Sequence, residues 1–168
     1  MSRIYTVSDN NLTVGTGNVL FALRTAAAGT TAGGNINIRR VEIGQSGTTT
    51  AEMVRGHIAT RDTAGTLTCT SATPRPISPL GGPASGIAGN TAPAANAATC
   101  GTDSSADSGG TYTTIYPFAF HNLNGWLWVP TPEERIEIPP ATVVCVQLLA
   151  SPTGTTGWTI SVTYEELA

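Results

Sequence analysis

The sequence predicts an all-β protein, a single antiparallel jelly roll or β-sandwich of about eight strands. Three observations point to it. Residues 158–165 alternate strictly: Trp158, Ile160, Val162 and Tyr164 share one parity, and Thr159, Ser161, Thr163 and Glu165 share the other. A strand sends successive side chains to opposite faces, so this run buries one face and wets the other. The apolar runs are short and bounded by turn residues, such as Pro130 and Pro132, Pro139 and Pro140, and Pro152 with Gly154 and Gly157. Nowhere do strand patterns alternate with helical ones, which excludes the parallel α/β classes and leaves a sandwich or jelly roll.

The elements follow in order. Residues 4–7 and 12–14 read as short strands around the turn-like Asp9-Asn10-Asn11. Residues 19–24 (VLFALR) fit a strand or a helical turn. In 35–43 (NINIRRVEI) the apolar parity shifts at Arg39-Arg40, the mark of a β-bulge. Residues 51–61 read as a strand with Val54 and Ile58 inward, because Gly56 weakens a helix there. Residues 66–70 form another short strand. Residues 112–122 return to strand, with Pro117 marking an edge or a bulge. Asn124-Gly125 predicts a two-residue hairpin into residues 126–129. Residues 135–138 lead to the run 142–150, in which Val143, Cys145 and Leu149 share one parity and Val144, Val146 and Leu148 the other. A strand apolar on both faces is covered on both faces. In an antiparallel domain of this size, the expectation is that a second subunit supplies the second cover.

Two segments stand apart from this single domain, 1–168. Residues 1–18 are a candidate N-terminal arm. Residues 74–110 hold Pro74, Pro76, Pro79, Pro83 and Pro93, many Gly and Ala, and almost no large apolar side chain. Such a stretch cannot build its own core. It reads as an extended excursion laid on a neighbouring surface, where Gly lets backbones approach.

Composition bounds the partners. Charged residues are 11% of the 168, against roughly 25% in an average soluble domain, and all eight cations are Arg. A chain so poor in charge carries neutral hydroxyl-rich surface or hides surface in an assembly. The net charge of −3 and the scattered arginines argue against nucleic acid as a partner. The adjacent Arg39 and Arg40 suit bidentate pairing with carboxylates at a subunit contact. No apolar run has the length of a signal-peptide core or a membrane span, so synthesis in a cytoplasm and no membrane partner are expected.

Catalytic and metal motifs are not found. Gly15-Thr16-Gly17 lacks the third glycine of a dinucleotide loop, and no phosphate loop or HExxH occurs. His57 and His121 sit in separate strand candidates and read as structural. A Cys145–His121 nucleophile pair is a weak reading, because an apolar strand makes a thiol inert. Asp103, Asp107 and Gly109 fall short of a calcium loop, and Glu133, Glu134, Arg135 and Glu137 read as a solvated or contact rim. No enzyme activity, cofactor or metal is expected. Cys69 and Cys100 flank the Pro/Gly/Ala-rich stretch, where a disulfide would close a long loop, while a cytosolic product would keep both thiols reduced. Trp126 and Trp128 stand on one sheet face, filling a core or meeting a subunit; exposed and coplanar, they would instead suit sugars, the reading of a carbohydrate-binding or host-adhesion module on a virion fibre or spike.

The run WLWVPTPEERIEIPPAT, then VVCVQLLASP, then WTISVTYEEL, resembles the C-terminal strands of jelly-roll decoration (cement) proteins on the capsids of tailed bacteriophages. It covers about a quarter of the chain. The resemblance implies a structural virion protein on the outer capsid surface, a homotrimer that clamps neighbouring major capsid proteins. Trp126, Trp128, Val143, Cys145 and Leu149 are then the candidate subunit interface, and the two atypical segments are candidate contacts with the shell.

Overall fold

The structure, a computed structural model, describes residues 3–15, 18–29, 33–47, 50–78 and 80–167. Met1, Ser2, Thr16 and Gly17 of the expected arm, and Pro79 of the expected excursion, lie outside the described residues.

The described residues form thirteen strands: β1 (Arg3–Leu12), β2 (Val19–Arg24), β3 (Asn35–Gln45), β4 (Met53–Arg61), β5 (Thr66–Ser71), β6 (Arg75–Ser78), β7 (Ala88–Gly89), β8 (Thr99–Ser108), β9 (Tyr112–His121), β10 (Trp126–Trp128), β11 (Ile136–Ile138), β12 (Val143–Leu148) and β13 (Trp158–Leu167). One sheet runs β10-β3-β13-β1-β6 with β11 also on β3, and the other runs β5-β8-β2-β12-β4-β9 with β7 on β8. Four antiparallel pairings are nested: β1 with β13, β2 with β12, β3 with β10 and β11, and β4 with β9. Rolling one long hairpin onto itself gives this order, which is that of a jelly roll. Residues 66–108 are an insertion at the hairpin tip, between β4 and β9.

The alternation of β13 places Trp158, Ile160, Val162 and Tyr164 in the core between the sheets. They meet Tyr5 and Val7 from β1, Ile36, Ile38, Val41 and Ile43 from β3, and Val144, Val146 and Leu148 from β12. The parity shift in β3 is a bulge: Arg40 faces Thr163 and Ile38 faces Tyr164, so Arg39 is the extra residue. β9 is the outer strand of its sheet and is also bulged, at Ile115, so Pro117 sits where a missing N–H is tolerated. Gly56 is explained by packing: a Cβ there would lie 2.4 Å from the Phe118 ring.

Four expectations are corrected. β1 is one strand through Leu12, with an irregularity between Asp9 and Leu12 where a turn was expected. It lies between β13 and β6, so residues 3–12 are no arm. Asn124-Gly125 does not make a hairpin, because β9 and β10 belong to different sheets; the turn carries the chain from one sheet to the other. The stretch 74–110 contributes β6, β7 and β8, and Ile87, Ala94 and Cys100 within it are buried. It folds against its own chain because β8 buries hydroxyls through hydrogen bonds: Ser104 Oγ accepts from the Val19 N–H at 2.9 Å, and Thr102 Oγ donates to Asp9 at 2.8 Å.

The fourth correction concerns β12. Its outer face is covered by the chain itself. In the sheet order, β4 and β5 are separated by β12, β2 and β8, so the chain crosses the outer surface of the sheet to reach β5 and returns from β8 to β9. Leu67, Cys69 and Ala94 from this crossing pack on Val19, Ala22, Val143 and Cys145, with Tyr112 alongside. Gly101 permits the crowding, since a Cβ there would stand 2.8 Å from the Cys69 Cβ. Val143 and Cys145 are 1% and 0% exposed in the single chain.

Candidate functional site

The residues expected to meet another subunit separate into two groups. Val143 and Cys145 are buried beneath the insertion and offer nothing to a second copy; the physical reason is the cover just described. Trp128 is also buried. Trp126 is partly buried and stacks on Phe118, with ring centroids 4.0 Å apart and 21° between planes. Tyr116 closes the rim, 5.5 Å from Trp128 and 6.4 Å from Trp126. A coplanar aromatic platform for a sugar is therefore not presented: one ring is buried and the other already has a stacking partner. Leu149 alone of the five is well exposed, at 58%.

The outer layer over β12 also holds the ionisable groups nearest the thiols. Arg61, 3% exposed, pairs with Asp107 through Nη2 at 2.7 Å and Nε at 3.2 Å, and Tyr112 donates its hydroxyl to the other Asp107 oxygen at 2.6 Å. Burial alone would lower the Arg61 pKa, but the Asp107 carboxylate outweighs it and holds the guanidinium charged. The acidic loop expected to hint at calcium is thus spent on this pair: Asp107 is taken by Arg61 and Tyr112, and Asp103 takes a hydrogen bond from the Thr13 backbone. No cluster of three or more metal-ligating side chains occurs among the described residues.

Cys69, Cys100 and Cys145 are free and buried. Of the two readings left open for Cys69 and Cys100, the reduced one is found, because the two face different layers. Cys100 points into the core between the sheets and donates to the Ala72 carbonyl, whereas Cys69 packs in the outer layer. Burial pushes both thiols up to about 12 and pushes Cys145 higher still. His121 does not activate Cys145: its Nδ1 accepts from the Leu123 N–H at 3.3 Å, while the buried His57 is held between Thr114 at 2.8 Å and Gln147 at 2.9 Å. The arginine pair finds its carboxylates within the chain, Arg39 on Glu165 and Arg40 on Glu42.

Two surface features were missed from sequence. One is a loop tip in the insertion. Leu80 is 86% exposed and Ile77, bridged to it, 45%. The base of this loop is tied down from below. Tyr5 donates its hydroxyl to the carbonyls of Pro83 and Ala84 at 3.2 and 3.3 Å. Glu166 accepts from the Ser85 hydroxyl and from the Gly86 N–H, the latter at 3.0 Å, and the Tyr164 and Ser85 hydroxyls are 2.8 Å apart. The other is a set of exposed apolar side chains, of which Met53 and Leu149 line one depression and Leu123 and Leu127 another. Single leucines near turns give no periodic signal, so neither could be found by pattern alone.

Comparison with protein-family models, with curated proteins and with solved structures finds no match to this chain.

Proposed function

We propose that the protein is a structural component of a virion, a decoration protein on the outer capsid surface that holds neighbouring major capsid proteins together. The observation that carries this reading is the anchored loop tip. Tyr164 and Glu166, two residues of the terminal run WTISVTYEEL that resembles cement proteins, fix the base of the loop whose tip exposes Ile77 and Leu80. A fixed base removes much of the ordering entropy that a mobile loop would lose on docking. An apolar tip on such a base is suited to enter a pocket on another protein. The low charge of the chain fits a surface that works by burial in an assembly.

The mechanism is mechanical: each copy would bury surface on more than one shell subunit and oppose their separation. A stable contact of this kind covers roughly 1,200–2,000 Å², and repetition over a shell multiplies its effect. The test is capsid particles purified from infected cells. The wild-type chain is expected at a fixed ratio to the major capsid protein, and Leu80→Asp is expected to fold normally yet be missing from the particles. Wild-type chain absent from purified particles would end this reading.

A further inference from the structure

We infer that Asn124 is a site of spontaneous covalent modification, where the chain converts its own side-chain amide to an aspartyl or isoaspartyl group. Asn124 is the only asparagine in the sequence followed by glycine. It is exposed, in the turn that carries the chain from β9 in one sheet to β10 in the other. Its N–H donates to the His121 carbonyl at 3.0 Å, which fixes the residue in the turn. The reacting groups themselves are unengaged: among the described residues, no hydrogen bond holds the Asn124 side-chain amide or the Gly125 N–H. Gly125 has no Cβ to hinder approach, and its φ of 68° is one that glycine adopts at little cost.

The nucleophile and its target sit on adjacent residues, so the step is intramolecular. The Gly125 backbone nitrogen loses its proton and bonds to Cγ of Asn124, and the Cγ–Nδ2 bond breaks. The side-chain NH2 leaves as ammonia, taking up the proton that the Gly125 nitrogen gave. Water then opens the five-membered imide. Opening at Cγ leaves an aspartyl residue, and opening at the main-chain carbonyl leaves an isoaspartyl residue, whose backbone is longer by one carbon. Either product puts a carboxylate into the depression that Asn124 shares with Glu42. Other asparagines are held back. Asn122 is fully buried, with its amide bonded to Gln45, to the Thr50 carbonyl and to the Glu52 N–H. Asn90 accepts from the Ala92 N–H at 2.8 Å, and Asn96 donates to the Ala92 carbonyl at 3.1 Å. Asn35 and Asn37 lie within β3, and each precedes an isoleucine, whose branched side chain crowds the nitrogen.

Peptide mapping by mass spectrometry, after the folded protein is aged at mildly alkaline pH, tests it. The peptide that holds Asn124 is expected to show the mass change from amide to acid, in two isomeric forms, about tenfold faster than any other asparagine peptide. An isoaspartyl methyltransferase with a labelled methyl donor is expected to label aged protein and to leave fresh protein unlabelled. Asn124→Gln, which would have to close a six-membered ring, is expected to keep its melting curve and to take no label at this peptide. The same incubation in urea gives the rate of the open chain. Asn124 that stays intact in the folded protein while the unfolded chain converts would overturn the inference, because the turn would then keep the two atoms apart. Faster conversion at another asparagine would overturn it equally. The reaction needs no partner, so a chain absent from capsid particles would refute the decoration role and leave this site standing.

Discussion

The two faces of β12 are packed by different means. Inward, Val144, Val146 and Leu148 meet Trp158, Tyr5 and the isoleucines of β3 in a thick layer of large side chains. Outward, Val143 and Cys145 meet a thinner layer of Leu67, Cys69, Ala94 and Tyr112, with one buried ion pair at its margin. The first layer is made by strands that alternate. The second is made by an insertion that crosses the sheet. Equal burial on the two sides therefore says nothing about who supplies the cover: one β-strand can be sealed by its own chain on a face that looks, from sequence, as if it awaited a partner.

The largest way to break the comparison is Trp158→Ala, which removes the largest fully buried side chain of the thick layer. A loss of about 3–5 kcal/mol is expected in urea unfolding. Next comes Asp107→Ala, which leaves the buried Arg61 guanidinium unpaired and the Tyr112 hydroxyl without its acceptor. A loss of about 3 kcal/mol is expected, and Arg61→Met combined with Asp107→Leu should recover much of it. If Asp107→Ala proves neutral, the outer layer is not sealed as described. Cys145→Ser sharpens the contrast with a smaller change, about 1–3 kcal/mol, since a hydroxyl there displaces a thiol from an apolar pocket. In the native protein none of the three thiols should react with a disulfide reagent at neutral pH, whereas all three should do so in denaturant; a reactive thiol would show the layer open.

The smallest expected effect is at Asp103, within β8. Burial raises its carboxyl pKa above the ordinary value, Asp9 adds to the rise, and the Thr13 N–H opposes it. A raised carboxyl destabilises the fold in its ionised form. The penalty is absent below the unfolded-state pKa, grows as pH rises through the folded-state value, and is complete at neutral pH. Asp103→Asn should therefore stabilise the protein at pH 7, by about 0.5 kcal/mol or less given the site's exposure, and change nothing at pH 3. Asn also tolerates the positive φ of 51° at this position. A melting temperature raised equally at both pH values would reject this origin.

What the sequence disclosed follows the same division. The alternation of β13, the doubly apolar β12, the bulge at Arg39 and the edge position of Pro117 were legible because large apolar side chains carry the signal. β8 was not, since TCGTDSSADS buries Thr102 and Ser104 through hydrogen bonds that hydropathy cannot register. Residues 74–110 were read as an outward excursion for that reason, and the second cover of β12 was assigned to another subunit. Trp126 and Trp128 were correctly placed on one face, but Phe118, their neighbour across the open edge, is joined to them only by the fold.

The nested pairings bear on how the chain reaches this state. Even the innermost of the four joins Arg61 to Tyr112, across the whole insertion. None of these four pairings among the described residues is a short local hairpin, and loop closure must precede most of the rewarding contacts. Folding on the slow side, roughly milliseconds to seconds, is the natural outcome. During that interval β12 is bare on its outer side, so the nascent chain is most prone to aggregate before residues 66–108 have settled.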